Sequence, residues 1–104
     1  MKSAFRVYKF LYRNECKSLS NDARVLYSFL EKKSRVNKKK ERYNENGKTF
    51  VIYPRKNLSQ QLLITEKVVS KCMKQLRELG LIIEKKQGRG LPNKIYVVMP
   101  LQEK

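Results

Sequence analysis

Lys67, Ser70, Lys71, Lys74 and Arg77 recur at helical spacing between Thr65 and Gly80. Wound at about 100° per residue, they share one side of a helix, with Glu78 beside them. Val68, Val69, Cys72, Met73, Leu76 and Leu79 take the other side. The chemistry open to the polar side is charge neutralisation and hydrogen bonding, with small Ser70 at its middle. An α-helix fits the DNA major groove, where such a face meets phosphates and base edges. A solvated helix surface uses the same residue types, and lysine-rich faces are common. The flanking sequence has to decide between these.

Bond-making chemistry finds little support. The chain has no histidine, and its two cysteines, Cys16 and Cys72, are far apart. A structural zinc site wants four Cys/His ligands at short spacing. Cys72 falls on the apolar side of the helix and reads as a small buried hydrophobe, although a disulfide stays open. No Gly-rich phosphate loop, paired acids or Ser/His arrangement is present. The expectation is a non-enzyme with no cofactor and no metal.

Composition points to a polyanionic partner. The chain has 104 residues, so one domain with one modest core is the default. It carries 25 Lys+Arg against 9 Asp+Glu, a formal net charge of +16. That excess costs stability through self-repulsion and favours nucleic acid first, an anionic membrane surface second. No apolar run is long enough to span a membrane or serve as a secretory signal. The basic residues are not gathered on one apolar-backed helix, which weakens the membrane reading. Double-stranded DNA is the expected partner, no membrane partner is expected, and the expected location is cytoplasmic.

The elements that must position the polar face follow in order. Residues 1–19 form an N-terminal arm, with aromatic and β-branched residues over 5–12 that read as a short strand or extended arm. It covers its own domain or docks on a second copy. Residues 20–33 read as a helix with Ser20 as N-cap and Asp22 in the first turn. Ala23, Leu26, Tyr27 and Leu30 form its apolar stripe, widened by Phe29. Residues 34–48 are polar, with Lys38, Lys39 and Lys40 in a row and an Asn46-Gly47 hairpin signal. Residues 49–53 read as a strand stopped by Pro54.

Residues 55–62 read as a short helix, with Leu63 and Ile64 turning into the helix that Thr65 caps. Gly80 suits the left-handed position past its end, with Leu81 packing back on Leu76. Residues 81–86 and 94–99 read as strands around a turn-rich tip. A short helix, a tight turn and a longer helix make a helix-turn-helix, whose second helix reads the groove. The basic hairpin after it is a wing. The expected fold is α+β, a winged helix-turn-helix with three main helices, a small antiparallel sheet and a β-hairpin wing, over residues 20–100.

Site expectations follow from this layout. Thr65, Lys67, Ser70, Lys71, Lys74 and Arg77 are the DNA-binding candidates on the recognition helix. Lys86, Arg89 and Lys94 are those of the wing. Lys38, Lys39, Lys40, Arg55 and Lys56 are candidates for secondary phosphate contacts. The recognition face displays no aromatic residue for stacking on unpaired bases, which counts against an RNA reader. Its positive charge counts against a protein-docking winged helix. A transcriptional repressor shares the same docking physics and is the alternative.

Several stretches resemble the N-terminal domain of RepA-type plasmid replication initiators of low-GC Gram-positive bacteria. These are Lys17-Ser18-Leu19-Ser20-Asn21-Asp22-Ala23 with Leu26-Tyr27, Asn44-Glu45-Asn46-Gly47, and Leu76 through Ile82. The most specific is Lys86-Gln87-Gly88-Arg89-Gly90-Leu91-Pro92-Asn93-Lys94-Ile95-Tyr96-Val97. Tyr8 stands where the family often has proline, Arg42-Tyr43 where a tryptophan is usual, and the lysine loop is longer. The resemblance implies binding to repeated sites (iterons) in the plasmid's own replication origin, usually as a homodimer. It implies a role as the origin-recognition domain. It also implies host replication proteins as partners of a further C-terminal domain not present here, residues 101–104 being a tail or the start of its linker.

Overall fold

The computed structural model describes residues 7–100. Helix α1 spans Asn21–Asn37, and the Oγ of Ser20 caps it by accepting from the Ala23 amide at 3.1 Å. It runs a turn beyond the expected 20–33. No glycine or proline interrupts residues 34–37, and Arg35 pairs with Glu31 one turn back at 3.0 Å. Its stripe of Ala23, Leu26, Tyr27 and Leu30 is fully buried.

A small hairpin follows, β1 (Asn44–Glu45) with β2 (Lys48–Thr49). Asn46 and Gly47 join them at φ 54 and 78, the positive pair that a type I′ turn demands. The strand expected over 49–53 divides at Phe50. Thr49 pairs with Asn44, whereas β3 (Val51–Ile52) belongs to a second sheet. Phe50 is buried between the rings of Tyr43 and Tyr96, each 5.9 Å away, and this turn inward breaks the strand.

Pro54 ends β3 and precedes α2 (Arg55–Leu62), which buries Leu58. Leu63, left-handed at φ 58, makes the turn into α3 (Glu66–Glu78). Both ends of α3 are fixed as its sequence expects. Thr65 Oγ1 accepts from the Val68 amide at 3.2 Å. At the other end the Gly80 amide donates to Arg77 O at 3.0 Å and the Leu81 amide to Leu76 O at 2.9 Å, a Schellman pair made possible by Gly80 at φ 72.

Strands β4 (Ile82–Lys85) and β5 (Lys94–Val97) are shorter than the 81–86 and 94–99 expected. One bond outlasts the ladder, from the Val98 amide to Leu81 O at 2.9 Å. The sheet has the order β3-β5-β4 and is antiparallel throughout. Ile82 opposite Val97 and Glu84 opposite Ile95 lie on one face. Ile83 opposite Tyr96 and Lys85 opposite Lys94 lie on the other.

The core fills the space between α1, α2, α3 and the Ile82/Ile95 face of the sheet. Tyr27 is wholly buried there, and its hydroxyl donates to Val98 O at 2.7 Å. Burial, with Glu31 nearby, pushes that phenol far above its usual range. Apart from the small β1–β2 hairpin, the order α1, β3, α2, α3, β4, β5 is that of a winged helix-turn-helix.

The N-terminal arm differs from expectation. The reading of residues 1–6 lies outside the described residues. Over the rest the chain forms two 3-10 turns, Lys9–Tyr12 and Asn14–Cys16, not a strand. A strand would send adjacent Phe10 and Leu11 to opposite faces, whereas the turn carries both inward, to 3% and 0% exposure. Phe10 and Tyr27 meet edge to face, with ring centroids 5.6 Å apart. The self-packing alternative describes these two side chains.

Candidate nucleic-acid interface

Helix α3 separates its residues by face as its period requires. Val69, Cys72, Met73 and Leu76 are buried. Lys67, Ser70, Lys71, Lys74 and Arg77 are exposed, four of them at the i, i+3, i+4, i+7 spacing of a single face. Packing holds the helix in place from beneath, against α1, α2 and β4. Gln75 adds a polar tie, its Oε1 accepting from the Ser20 amide at 3.0 Å.

Among the described residues, Lys67, Lys71 and Lys74 have no acidic partner, so their ammonium groups face solvent uncompensated. The same holds for Lys86 and Arg89 at the wing tip. That tip is shaped by Gly88 and Gly90 at φ 142 and 79 and by Gln87 Nε2 donating to Pro92 O at 2.8 Å. Thr65 is exposed and its oxygen serves the helix cap, which leaves its hydroxyl hydrogen available. Lys56 is exposed on the first turn of α2.

Three expected contact residues hold acidic partners. Arg77 Nη1 donates to Glu84 Oε1 at 2.6 Å, and Arg55 Nη1 to Glu84 Oε2 at 3.4 Å. Their side chains remain 41% and 32% exposed, so each guanidinium keeps donors toward solvent. Lys94 departs further from its wing assignment. Strand register puts it with Lys85 on the sheet face turned away from α2 and α3. There its Nζ donates to Glu45 Oε1 at 2.8 Å and lies 4.7 Å from the Phe50 ring centroid. It joins the wing strand to the first hairpin, and a lysine in a turn-rich basic stretch gave no hint of that face.

The lysine loop is also placed apart from α3. Asn44 Nδ2 donates to the carbonyls of Asn37, Lys38 and Lys40 at 3.2, 3.2 and 2.8 Å, which folds the loop over the first hairpin. Lys38 lines a groove of about 720 Å³ along with Glu45, Ile83 and Tyr96, and no residue of α2 or α3 lines it. Lys38, Lys39 and Lys40 are exposed.

The sequence reading missed Glu84 and Asn93. Glu84 occupies an inward-facing strand position yet carries a charge, and Asn93 Nδ2 donates to it at 3.4 Å. Burial pushes its carboxyl up, but the hydrogen bond and charge of Arg55, with Arg77 and Asn93, outweigh burial and hold it below the usual carboxylate range. The alternation Ile82-Ile83-Glu84-Lys85 carried the signal, since it puts Glu84 on the face of buried Ile82. Lys94 and Glu45 perturb one another in the same way at the surface. Lys94 holds the Glu45 carboxyl low, and Glu45 holds the Lys94 ammonium high.

Both cysteines are free and buried, and burial pushes both thiols up. Among the described residues no group of three or more His, Cys, Asp or Glu side chains could hold a metal ion. No helix among them is long and apolar enough to cross a membrane.

Comparisons with known proteins agree with this architecture. No curated protein matches the chain. A solved structure described as the N-terminal domain of a DNA-binding protein superposes with a TM-score of 0.82 at 25% identity, covering 96% of this chain and 77% of that one. A structure of a Rep–DNA complex superposes with a TM-score of 0.81, again at 25% identity, covering 96% and 78%. A structure of an initiator described as MDR gives 0.79 at 25% identity, covering 95% and 78%. The family model for the N-terminus of replication initiator protein A (RepA) matches residues 3–103. That match spans nearly the whole sequence, and the chain belongs to the RepA N-terminus family.

Proposed function

We propose that this chain is the origin-recognition domain of a plasmid replication initiator, binding duplex DNA sequence-specifically at repeated sites (iterons) in the plasmid's own origin. The observation that carries this reading is the uncompensated face of α3. Lys67, Ser70, Lys71 and Lys74 project from a helix whose opposite side is buried, next to a glycine-tipped wing bearing Lys86 and Arg89. The similar Rep structure solved with DNA supports the same partner.

In this reading α3 enters the major groove and Lys67, Ser70, Lys71 and Lys74 meet base edges. Thr65 and Arg77 flank them on the backbone. Lys86 and Arg89 reach the adjoining backbone or minor groove. Lys56 and the outward side of Arg55 add phosphate contacts beside the recognition helix. Lys38, Lys39 and Lys40 serve phosphates only where a longer or bent duplex reaches their flank. Lys94 takes the role of a tie between β5 and the first hairpin, since Glu45 already neutralises it. The fold is non-catalytic and works in the cytoplasm of its low-GC Gram-positive host.

The domain acts as a homodimer on paired half-sites, and host replication proteins are engaged by a further domain of the initiator. With Phe10 and Leu11 in the protein's own core, Val7 and Tyr12 are the large apolar side chains of the arm left exposed among the described residues, and they carry its share of a dimer contact. Footprinting on fragments of the plasmid origin tests the proposal. Protection of regularly repeated sites is the expected result. Uniform coverage of origin and unrelated fragments alike would contradict it.

A further inference from the structure

Glu84 lies where a charge is costly, on the core side of the wing sheet, with its side chain only 7% exposed. A buried carboxylate is tolerated only with close, well-directed partners. Its partners come from three elements: Arg77 from the end of α3, Arg55 from the start of α2, and Asn93 from the foot of β5. Arg55 does not stop at Glu84. Its Nε donates to Ser70 Oγ at 3.0 Å. A continuous relay therefore runs from the Glu84 carboxylate through the Arg55 guanidinium to the hydroxyl at the middle of the exposed face of α3.

That contact decides what Ser70 can do. A serine hydroxyl has one hydrogen to donate and two lone pairs to accept with, and at a base edge it commonly serves either way. Arg55 is a donor only, so it occupies an acceptor position of Ser70 Oγ and turns the hydroxyl hydrogen away from itself. Ser70 then presents a donor outward. Arg55 is planar and has its fork directed by Glu84, so it holds this arrangement as a flexible lysine would not.

We infer that Glu84 is a positioning residue which, through Arg55, makes Ser70 a specificity-determining hydrogen-bond donor toward an acceptor on a major-groove base edge, a purine N7, guanine O6 or thymine O4. The inference rests on the DNA-binding reading above and deepens it. Glu84 has a second effect. Its negative charge offsets part of the positive charge that Arg55 and Arg77 present to phosphates, so it lowers affinity for arbitrary duplex while sharpening choice among sequences.

The test compares wild type with Glu84→Gln, Ser70→Ala and Arg55→Lys on a library of duplexes in which each base pair of an origin repeat is varied, and on a scrambled duplex. The expected result is that Ser70→Ala and Glu84→Gln relax preference at the same base pair, by roughly three- to tenfold, the worth of one hydrogen bond. Glu84→Gln also binds the scrambled duplex more tightly than wild type and with a steeper dependence on salt. A merely structural ion pair predicts the opposite, since a loosened wing lowers affinity for every duplex together.

Preference at that base pair unchanged in Glu84→Gln, or affinity for repeat and scrambled duplex falling in parallel, overturns the inference. Should Glu84→Gln fail to fold, Ser70→Ala decides the matter in the Arg55→Lys background. It is expected to change nothing further there, and an effect as large as in wild type overturns the relay. A wild type with no base preference at all overturns the DNA-recognition reading itself, an outcome distinct from either.

Discussion

Arg24 on α1 donates from Nε to Leu11 O at 2.7 Å, which fastens the N-terminal segment to the domain. Its Nη2 donates to Cys16 O at 3.3 Å, its Nη1 to Asn21 Oδ1 at 3.1 Å, and its guanidinium lies 4.6 Å from the Tyr12 ring centroid. One side chain thus closes both 3-10 turns over α1. Beneath it Leu11 is fully buried, so Leu11→Ala is expected to cost about 2–5 kcal/mol. Arg24→Ala is expected to cost about 1.5–3 kcal/mol, the range for hydrogen bonds to a charged group. Urea denaturation of the two variants checks both. Removal of residues 1–12 is expected to unfold the domain, because it strips Phe10 and Leu11 from the core.

Lys94 and Arg89 are separated by five positions in one basic stretch, yet of the two only Lys94 has an acidic partner among the described residues. Arg89→Ala is expected to weaken binding to many duplexes uniformly, as the loss of a backbone contact does. Lys94→Ala is expected to leave DNA affinity within about twofold, because Glu45 already holds that ammonium. Titration of one origin duplex and one unrelated duplex with each variant separates the cases. Equal losses from both variants would return Lys94 to the interface.

Acid should weaken the fold partly through Glu84. Its carboxyl sits below its ordinary value of 4.5 in the folded protein, mainly because Arg55 and Arg77 offset its burial. A group with a depressed folded pKa contributes stability above its unfolded pKa and loses it as pH falls through the folded one. The stability difference between wild type and Glu84→Gln should therefore be level above about pH 5 and shrink steadily below pH 4.5. Thermal melts from pH 3 to 7 measure it, and a difference that grows toward low pH would reverse the assignment.

Much of the architecture is legible in the sequence, because local rules and global packing agree along the helices. Thr65 and Gly80 mark the ends of α3 by cap chemistry alone, and Pro54 marks the start of α2. Alternation failed at Phe10-Leu11, since two adjacent apolar residues fit a tight turn under α1 better than a two-sided strand. It failed again at Phe50, where tertiary packing between Tyr43 and Tyr96 overrides strand continuity. In the candidate site the periodicity of α3 separated exposed from buried residues correctly. It could not tell a free cation from a paired one. Arg55, Arg77 and Lys94 meet acids 29, 7 and 49 positions away, and separations of that kind leave no local trace.

If the exposed basic face of α3 and the wing reads duplex DNA, as proposed, affinity must depend steeply on both salt and sequence. Wild-type protein would be titrated onto a duplex carrying the plasmid's own origin repeats and onto a scrambled duplex of equal length, from 50 to about 300 mM salt. The expected slope of log affinity against log salt is about −0.9 per phosphate contact, with on the order of five or more contacts per protomer. The expected preference for the origin repeats is roughly 10³-fold or more. A slope near −1, or equal affinity for the two duplexes across the range, would contradict the proposal.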